Sequence, residues 1–209
     1  MILVDDAISM KNHWREVKRF FSALAYLTKT VDKDGSIDLG FTVSNEKWSS
    51  TKSSLLLSKV AERGERLSVT SNPETACNRI LEEWKEKVNP SGLAWRFSRP
   101  KLPPVTLYIL TNGVWEPRSD LRHFIARVVE FMNENKLDRK HIGIQFVQFG
   151  NDERGTEKLA RLDLGLDLDK DIVDTEPSTG NILKVLLGPV DDTFDDAPEC
   201  TCSQIRAPS

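Results

Sequence analysis

Val105-Thr106-Leu107-Tyr108-Ile109-Leu110-Thr111-Asn112-Gly113 is the stretch on which the fold turns. It is apolar apart from Thr106 and Tyr108, and it stops at a polar Thr-Asn-Gly corner. A strand that needs no polar face is one shielded by helices on both sides, as in a parallel sheet. The flanks agree. Upstream, Asn72-Pro73-Glu74-Thr75 opens a helix through about residue 88, with Ala76, Ile80, Leu81 and Trp84 inward and Pro73 in the opening turn. A connector over 89–104, rich in Pro and carrying Trp95 and Phe97, joins that helix to the strand. Downstream, Ser119 or Asp120 caps a helix through about residue 135.

Working outward, residues 142–149 form a second strong strand that ends at Gly150-Asn151-Asp152. The spacing then predicts a helix over 156–164, a short strand over 171–174 and a last helix over 180–187. Toward the N-terminus, Ile2-Leu3-Val4 runs into Asp5-Asp6, and 11–29 carries Trp14, Val17, Phe21, Leu24 and Ala25 at helical spacing. The first strand starts at Met1, so either it is only three or four residues long or it belongs to a longer protein. Residues 37–43 alternate apolar with small or polar side chains, 44–54 read as loop, and 55–63 form a short helix broken at Gly64. Strands alternating with helices predict an α/β domain: an open, mostly parallel, Rossmann-like sheet with helices on both faces. Five strands are expected to be parallel, with 37–43 as an antiparallel edge.

Composition limits the function. Of 209 residues, 39% are hydrophobic and 29% charged, with 29 bases against 32 acids for a net charge of −3. That balance does not suit a dedicated nucleic-acid binder. No run of 18 apolar residues is present, so no membrane span is expected. The N-terminus lacks the basic start and long apolar run of a signal peptide. Three cysteines make no disulfide framework, which points to a reducing, cytoplasmic setting. The domain is expected to span 1–188. Residues 189–209 hold five acids and one base, Arg206, in a polar, Pro-containing segment whose composition predicts a disordered acidic tail.

In open parallel sheets, ligands collect at the carboxyl ends of the strands. Those ends here are Asp5 to Ser9, Thr111 to Gly113 and Gly150 to Asp152. Such oxygen-rich loops suit a hard cation. The chain resembles von Willebrand factor A-type domains, in particular the intracellular version of fungal proteins, on several motifs. Asp5-Asp6-Ala7-Ile8-Ser9 is similar to the family's Asp-x-Ser-x-Ser loop, and Thr111-Asn112-Gly113 to its Thr-Asp-Gly turn. Gly143-Ile144-Gln145-Phe146, Phe149-Gly150-Asn151-Asp152 and the stretch 171–188 carry further likeness to that version.

The resemblance implies a metal-ion-dependent adhesion site on Asp5, Ser9, Thr75 and Asn112. It is a degenerate one: Ala7 lacks a hydroxyl, and Asn112 lacks the charge of an Asp. With those losses the resemblance implies no cofactor, or a weakly bound Mg²⁺ or Mn²⁺. The role it implies is a non-enzymatic module that binds a protein partner through its strand-end face. Asp6 and Trp115 are the expected partner contacts. Two alternatives stand beside it: a divalent-metal hydrolase or phosphotransferase using Asp5, and a structural domain of a larger assembly.

Other chemistry has less support. No Gly-x-Ser-x-Gly elbow, P-loop or Gly-x-Gly-x-x-Gly fingerprint is present. His13, His123 and His141 have no evident nucleophile as partner, and Cys77 reads as core. Cys200-Thr201-Cys202 supplies two thiolates where zinc needs four ligands. Lys47, Lys52 and Lys59 around Trp48 read as a solvated loop.

Overall fold

A computed structural model gives the architecture and describes residues 1–31, 35–67, 69–88, 103–166 and 168–187. The expected connector 89–104 lies almost wholly outside these residues, as does the acidic segment 189–209.

Among the described residues six strands form one sheet: β1 (Ile2–Val4), β2 (Ile37–Phe41), β3 (Lys47–Ser50), β4 (Val105–Thr111), β5 (Ile142–Gln148) and β6 (Val173–Pro177). Their order is β3-β2-β1-β4-β5-β6. All neighbours are parallel except β2 and β3. This is an open, mostly parallel, Rossmann-like α/β sheet, with the order reversing between β1 and β4.

The helices are α1 (Trp14–Val31), α2 (Ser53–Arg63), α3 (Pro73–Val88), α4 (Arg122–Glu134), α5 (Glu153–Leu164) and α6 (Ile182–Leu187). Alternation along each strand divides them into two layers. Ile2, Val4, Tyr108, Leu110 and Val147 face α1, α2 and α6, packing on Phe21, Leu24, Val60 and Val185. Leu3, Leu107, Ile109, Ile144 and Phe146 face α3, α4 and α5, packing on Ile80, Trp84, Phe124, Val128 and Leu159. The unbroken apolar run in β4 is therefore two interleaved faces, each under helices.

The position of the antiparallel edge differs from expectation. Residues 37–41 are interior, parallel to β1, and the edge is β3, within the stretch read as loop. Trp48 apart, β3 is Lys and Ser, so it shows no apolar alternation. An outer strand exposed along one side can be polar in this way, which also discourages further strand addition. Asn45, at φ 57°, helps turn the chain from β2 into β3.

At the other edge, Ile144 donates to the Ile172 carbonyl and Ser178 to the Gln148 carbonyl. In a parallel ladder alternate residues bond one neighbour, so the backbones of Val173, Thr175 and Pro177 face outward.

Candidate functional site

Register assembles the strand-end site. Val4 pairs with Phe41 on one side and Leu110 on the other. The next residues along, Asp5, Thr42 and Thr111, are therefore neighbours. The Asp5 amide donates to the Leu110 carbonyl at 2.9 Å, and the Thr42 amide to the Val4 carbonyl at 3.1 Å.

Asp5 is fully buried. Its Oδ1 accepts from the Ala7 amide and the Thr42 hydroxyl, both at 3.2 Å. Its Oδ2 accepts from the Thr111 hydroxyl at 2.7 Å and the Trp115 indole N–H at 3.2 Å. A carboxylate has about four lone-pair sites, and four protein groups that can donate lie within reach of them, the Thr42 hydroxyl being shared with Asp6. Burial raises the pKa of the Asp5 carboxyl, against the opposing pull of these donors. Ser71 joins the cluster by donating to the Thr42 hydroxyl at 2.9 Å.

Asp6 is equally buried and differently held. It accepts from the Val43 amide at 2.7 Å, the Ser44 amide at 3.2 Å and Arg63 Nε at 2.5 Å. The ion pair thereby ties the end of α2 to the end of β1. The Thr42 hydroxyl lies between the two acids, 3.2 Å from Asp5 Oδ1 and 3.3 Å from Asp6 Oδ1, with one proton for either.

Asn112 faces Ser9. Its Nδ2 donates to the Ser9 carbonyl at 3.1 Å, and its Oδ1 accepts from the Val114 amide at 3.0 Å and the Ser9 hydroxyl at 3.4 Å. An Asp could not make the first of these bonds, so the amide closes two loops onto each other. The β4 corner also meets α5 closely. Gly113 has φ +74°, and a Cβ on Gly155 would lie 2.1 Å from the Asn112 carbonyl oxygen.

The structure thus brings Asp5, Asp6 and Trp115 into one buried network, with Ser9 and Asn112 paired beside it. Thr75 lies in the first turn of α3 with its side chain exposed, and no hydrogen bond joins it to this group. The hydroxyls at Asp5 belong to Thr42 and Thr111, with Ser71 behind Thr42. Thr42 was legible in principle, as the first polar residue after an apolar strand. Trp115 is only 6% exposed, its ring against Phe146 with Lys158 Nζ 5.3 Å from the centroid. Neither Asp6 nor Trp115 presents a surface.

Beside this network two apolar side chains stand exposed. Ile8 is 50% exposed and Val69 is 68% exposed, and the Ile8 amide donates to the Val69 carbonyl at 3.3 Å. Sequence periodicity misses this pair because Ile8 opens a single short 3-10 helix, Ile8–His13, and Val69 lies in an irregular segment.

Each Asp5 oxygen faces two protein donors in this arrangement. Among the described residues, no three His, Cys, Asp or Glu side chains gather as a metal-ligating group. Cys77 is buried in the core, where desolvation pushes its thiol pKa well up. Lys47 and Trp48 on β3 are internally engaged: Lys47 pairs with Glu83, and Lys59 lies 5.5 Å from the Trp48 ring centroid. No helix among the described residues is long and apolar enough to cross a membrane.

No protein-family model and no curated protein matches the sequence. Among solved structures, the chain is similar to the VWA domain of SpRpn10, with a TM-score of 0.49 and 14% identity over 90% of this chain and 92% of that one. It is also similar to the pilus adhesin SpaC from Lactobacillus rhamnosus GG in its open conformation. That likeness has a TM-score of 0.47 and 9% identity, over 93% of this chain and 29% of the adhesin. Sheet order and register define the fold independently of either likeness.

Proposed function

We propose that this domain is a protein-interaction module of the von Willebrand A type, similar to the intracellular fungal version, whose strand-end face binds a protein partner with little or no help from a divalent ion. The observation that carries the reading is the division of labour on that face. Asp5 is enclosed by internal donors, while Ile8 and Val69 stand exposed beside it. Apolar side chains held on a fixed backbone can contribute to the centre of an interface without ordering new loops. Asp5, Asp6 and Trp115 then act from beneath, holding the loops that present Ile8 and Val69. Ser9 and Asn112 do the same from the side. Thr75, exposed at the head of α3, would lie at the rim of the contact.

Site-specific photo-crosslinking tests this reading. A photoreactive residue at position 8 or 69 should capture one identifiable protein, reproduced with the purified partner and unchanged by EDTA. A photoreactive residue at Leu164, which is 87% exposed, should not. Equal capture from all three positions, or capture lost in EDTA, would sink the proposal.

A further inference from the structure

The strand-end network leaves another surface unexplained, the outer side of α1 and the turn that leads into it. Lys11, Arg15, Lys18 and Arg19 recur at steps of three or four, so they share one side of the helix. Lys11, Arg15 and Arg19 are exposed and Lys18 is half-buried. Among the described residues, none of the four has an ion pair or hydrogen-bond partner for its side chain. Glu16, the acid among them, is engaged elsewhere and accepts from the Ser178 hydroxyl at 2.5 Å. The same side continues through Ser22 to Tyr26, which is 71% exposed. In a chain rich in surface pairing elsewhere, four adjacent uncompensated bases call for an acidic counterpart.

The chain carries one. Residues 189–209 hold Asp191, Asp192, Asp195, Asp196 and Glu199, again at steps of about four, with Phe194 between them. This segment follows α6, which packs beside α1 on the same face of the sheet. From Lys11 to Tyr26 the stripe is about 22 Å long, at roughly 1.5 Å per helical residue. A chain of this length can reach along it several times over, at up to about 3.3 Å per extended residue. Exposed ion pairs contribute little singly, but a tether supplies an effective concentration in the millimolar range and lets several weak pairs act together.

We infer that the acidic segment 189–209 docks in cis on the basic side of α1, its carboxylates against Lys11, Arg15, Lys18 and Arg19. An acidic partner protein directed at α1 would then have to displace it.

Carbodiimide crosslinking of the full chain tests this, because the reagent joins carboxylates to lysine amines held in ionic contact. At low salt, Lys11 and Lys18 should form amide links to the acids of 191–199. In a mixture of ¹⁴N- and ¹⁵N-labelled protein, these links should stay within one isotope. Their yield should fall at least about fivefold at 0.5 M NaCl, where screening is nearly complete beyond a few ångströms. The double variant Arg15→Gln/Arg19→Gln removes attraction but leaves both lysines, and should lower the yield comparably with an unchanged circular dichroism spectrum. Absence of links between α1 and the segment would overturn the inference. So would links undiminished in the double variant, or links of mixed isotope, which would place the contact between copies.

Discussion

The indole N–H of Trp115 reaches Oδ2 of Asp5 at 3.2 Å across 110 positions of chain, and also lies 2.9 Å from the Thr111 hydroxyl oxygen. Trp115→Phe keeps most of the ring but removes the proton. We expect a loss of about 1–3 kcal/mol in urea unfolding, the cost of leaving a buried acceptor short of a partner. A loss below a few tenths would mean that the carboxyl has no need of the indole.

The same enclosure bears on metal. In the wild type, Mg²⁺ or Mn²⁺ at about 10 mM, above the weak end of natural oxygen sites, should give no saturable heat by isothermal titration. Binding that disappears in Asp5→Ala would reverse this expectation and show that the donors around Asp5 yield to an ion.

Gly155 supports a prediction of opposite sign to helix propensity. An alanine inside a helix normally gains about 1 kcal/mol over glycine. Here its Cβ would fall 2.1 Å from the Asn112 carbonyl oxygen, a backbone atom that cannot swing aside. Gly155→Ala should therefore destabilise, by about 2 kcal/mol or more. Chemical denaturation of the variant decides it, and a gain in stability would show that α5 is free to move off the β4 corner.

Asp163 gives the stability a pH dependence. Burial, then repulsion from Asp174, Asp171 and Glu176, raises its carboxyl to about 6. An acid whose pKa is raised by folding favours the native state below its unfolded value, about 3.9. That contribution is lost as pH rises through the folded value. Stability should thus decline between about pH 4 and 6 on account of this group and then level off. Because the side chain is about half in solvent, screening leaves roughly 1 kcal/mol of effect. Asp163→Asn should flatten the decline in thermal unfolding scans across pH. An unchanged slope would assign the dependence to other groups.

Gln145 is fully buried in the sheet, and its Oε1 has no hydrogen-bond partner. Its Nε2 donates to the neighbouring Phe146 carbonyl at 3.3 Å, and the amide also hydrogen-bonds the carboxyl of Asp174 on β6. Gln145→Met offers similar reach without the stranded acceptor, and should raise the unfolding free energy by about 1 kcal/mol. A loss of stability would show that the hydrogen bond to Asp174 outweighs the stranded acceptor.

These cases show what the sequence could carry. β4 and β5 were legible because residues shielded on both faces must be apolar almost without interruption. α1 and α3 were legible because their buried stripes keep helical spacing. β3 was not, since Lys47 to Ser50 leaves no pattern beyond Trp48. At the strand ends, Asp5 and Asn112 stood out by residue type and by likeness to a known motif. Their partners did not, because proximity there depends on register. Val4 beside Phe41 and Leu110 is what brings Thr42 and Thr111 to Asp5. Burial of Trp115 was equally unreadable: an aromatic after a Gly corner can turn outward or inward, and here a carboxylate oxygen within reach of its N–H favours inward.

The outward backbone of β6 has a bearing on how the molecule behaves in a crowd. A free parallel edge invites a second molecule to extend the sheet, one amide at a time. Of the three residues whose backbone faces out, Pro177 has no amide proton, and the Thr175 amide is drawn to the carboxyl of Asp163. Among the described residues that leaves Val173 as the one of the three whose N–H has no partner, so the rim is poor in donors for an added strand. The sheet therefore ends there by its own chemistry, and high concentration alone should not seed fibrils from that side.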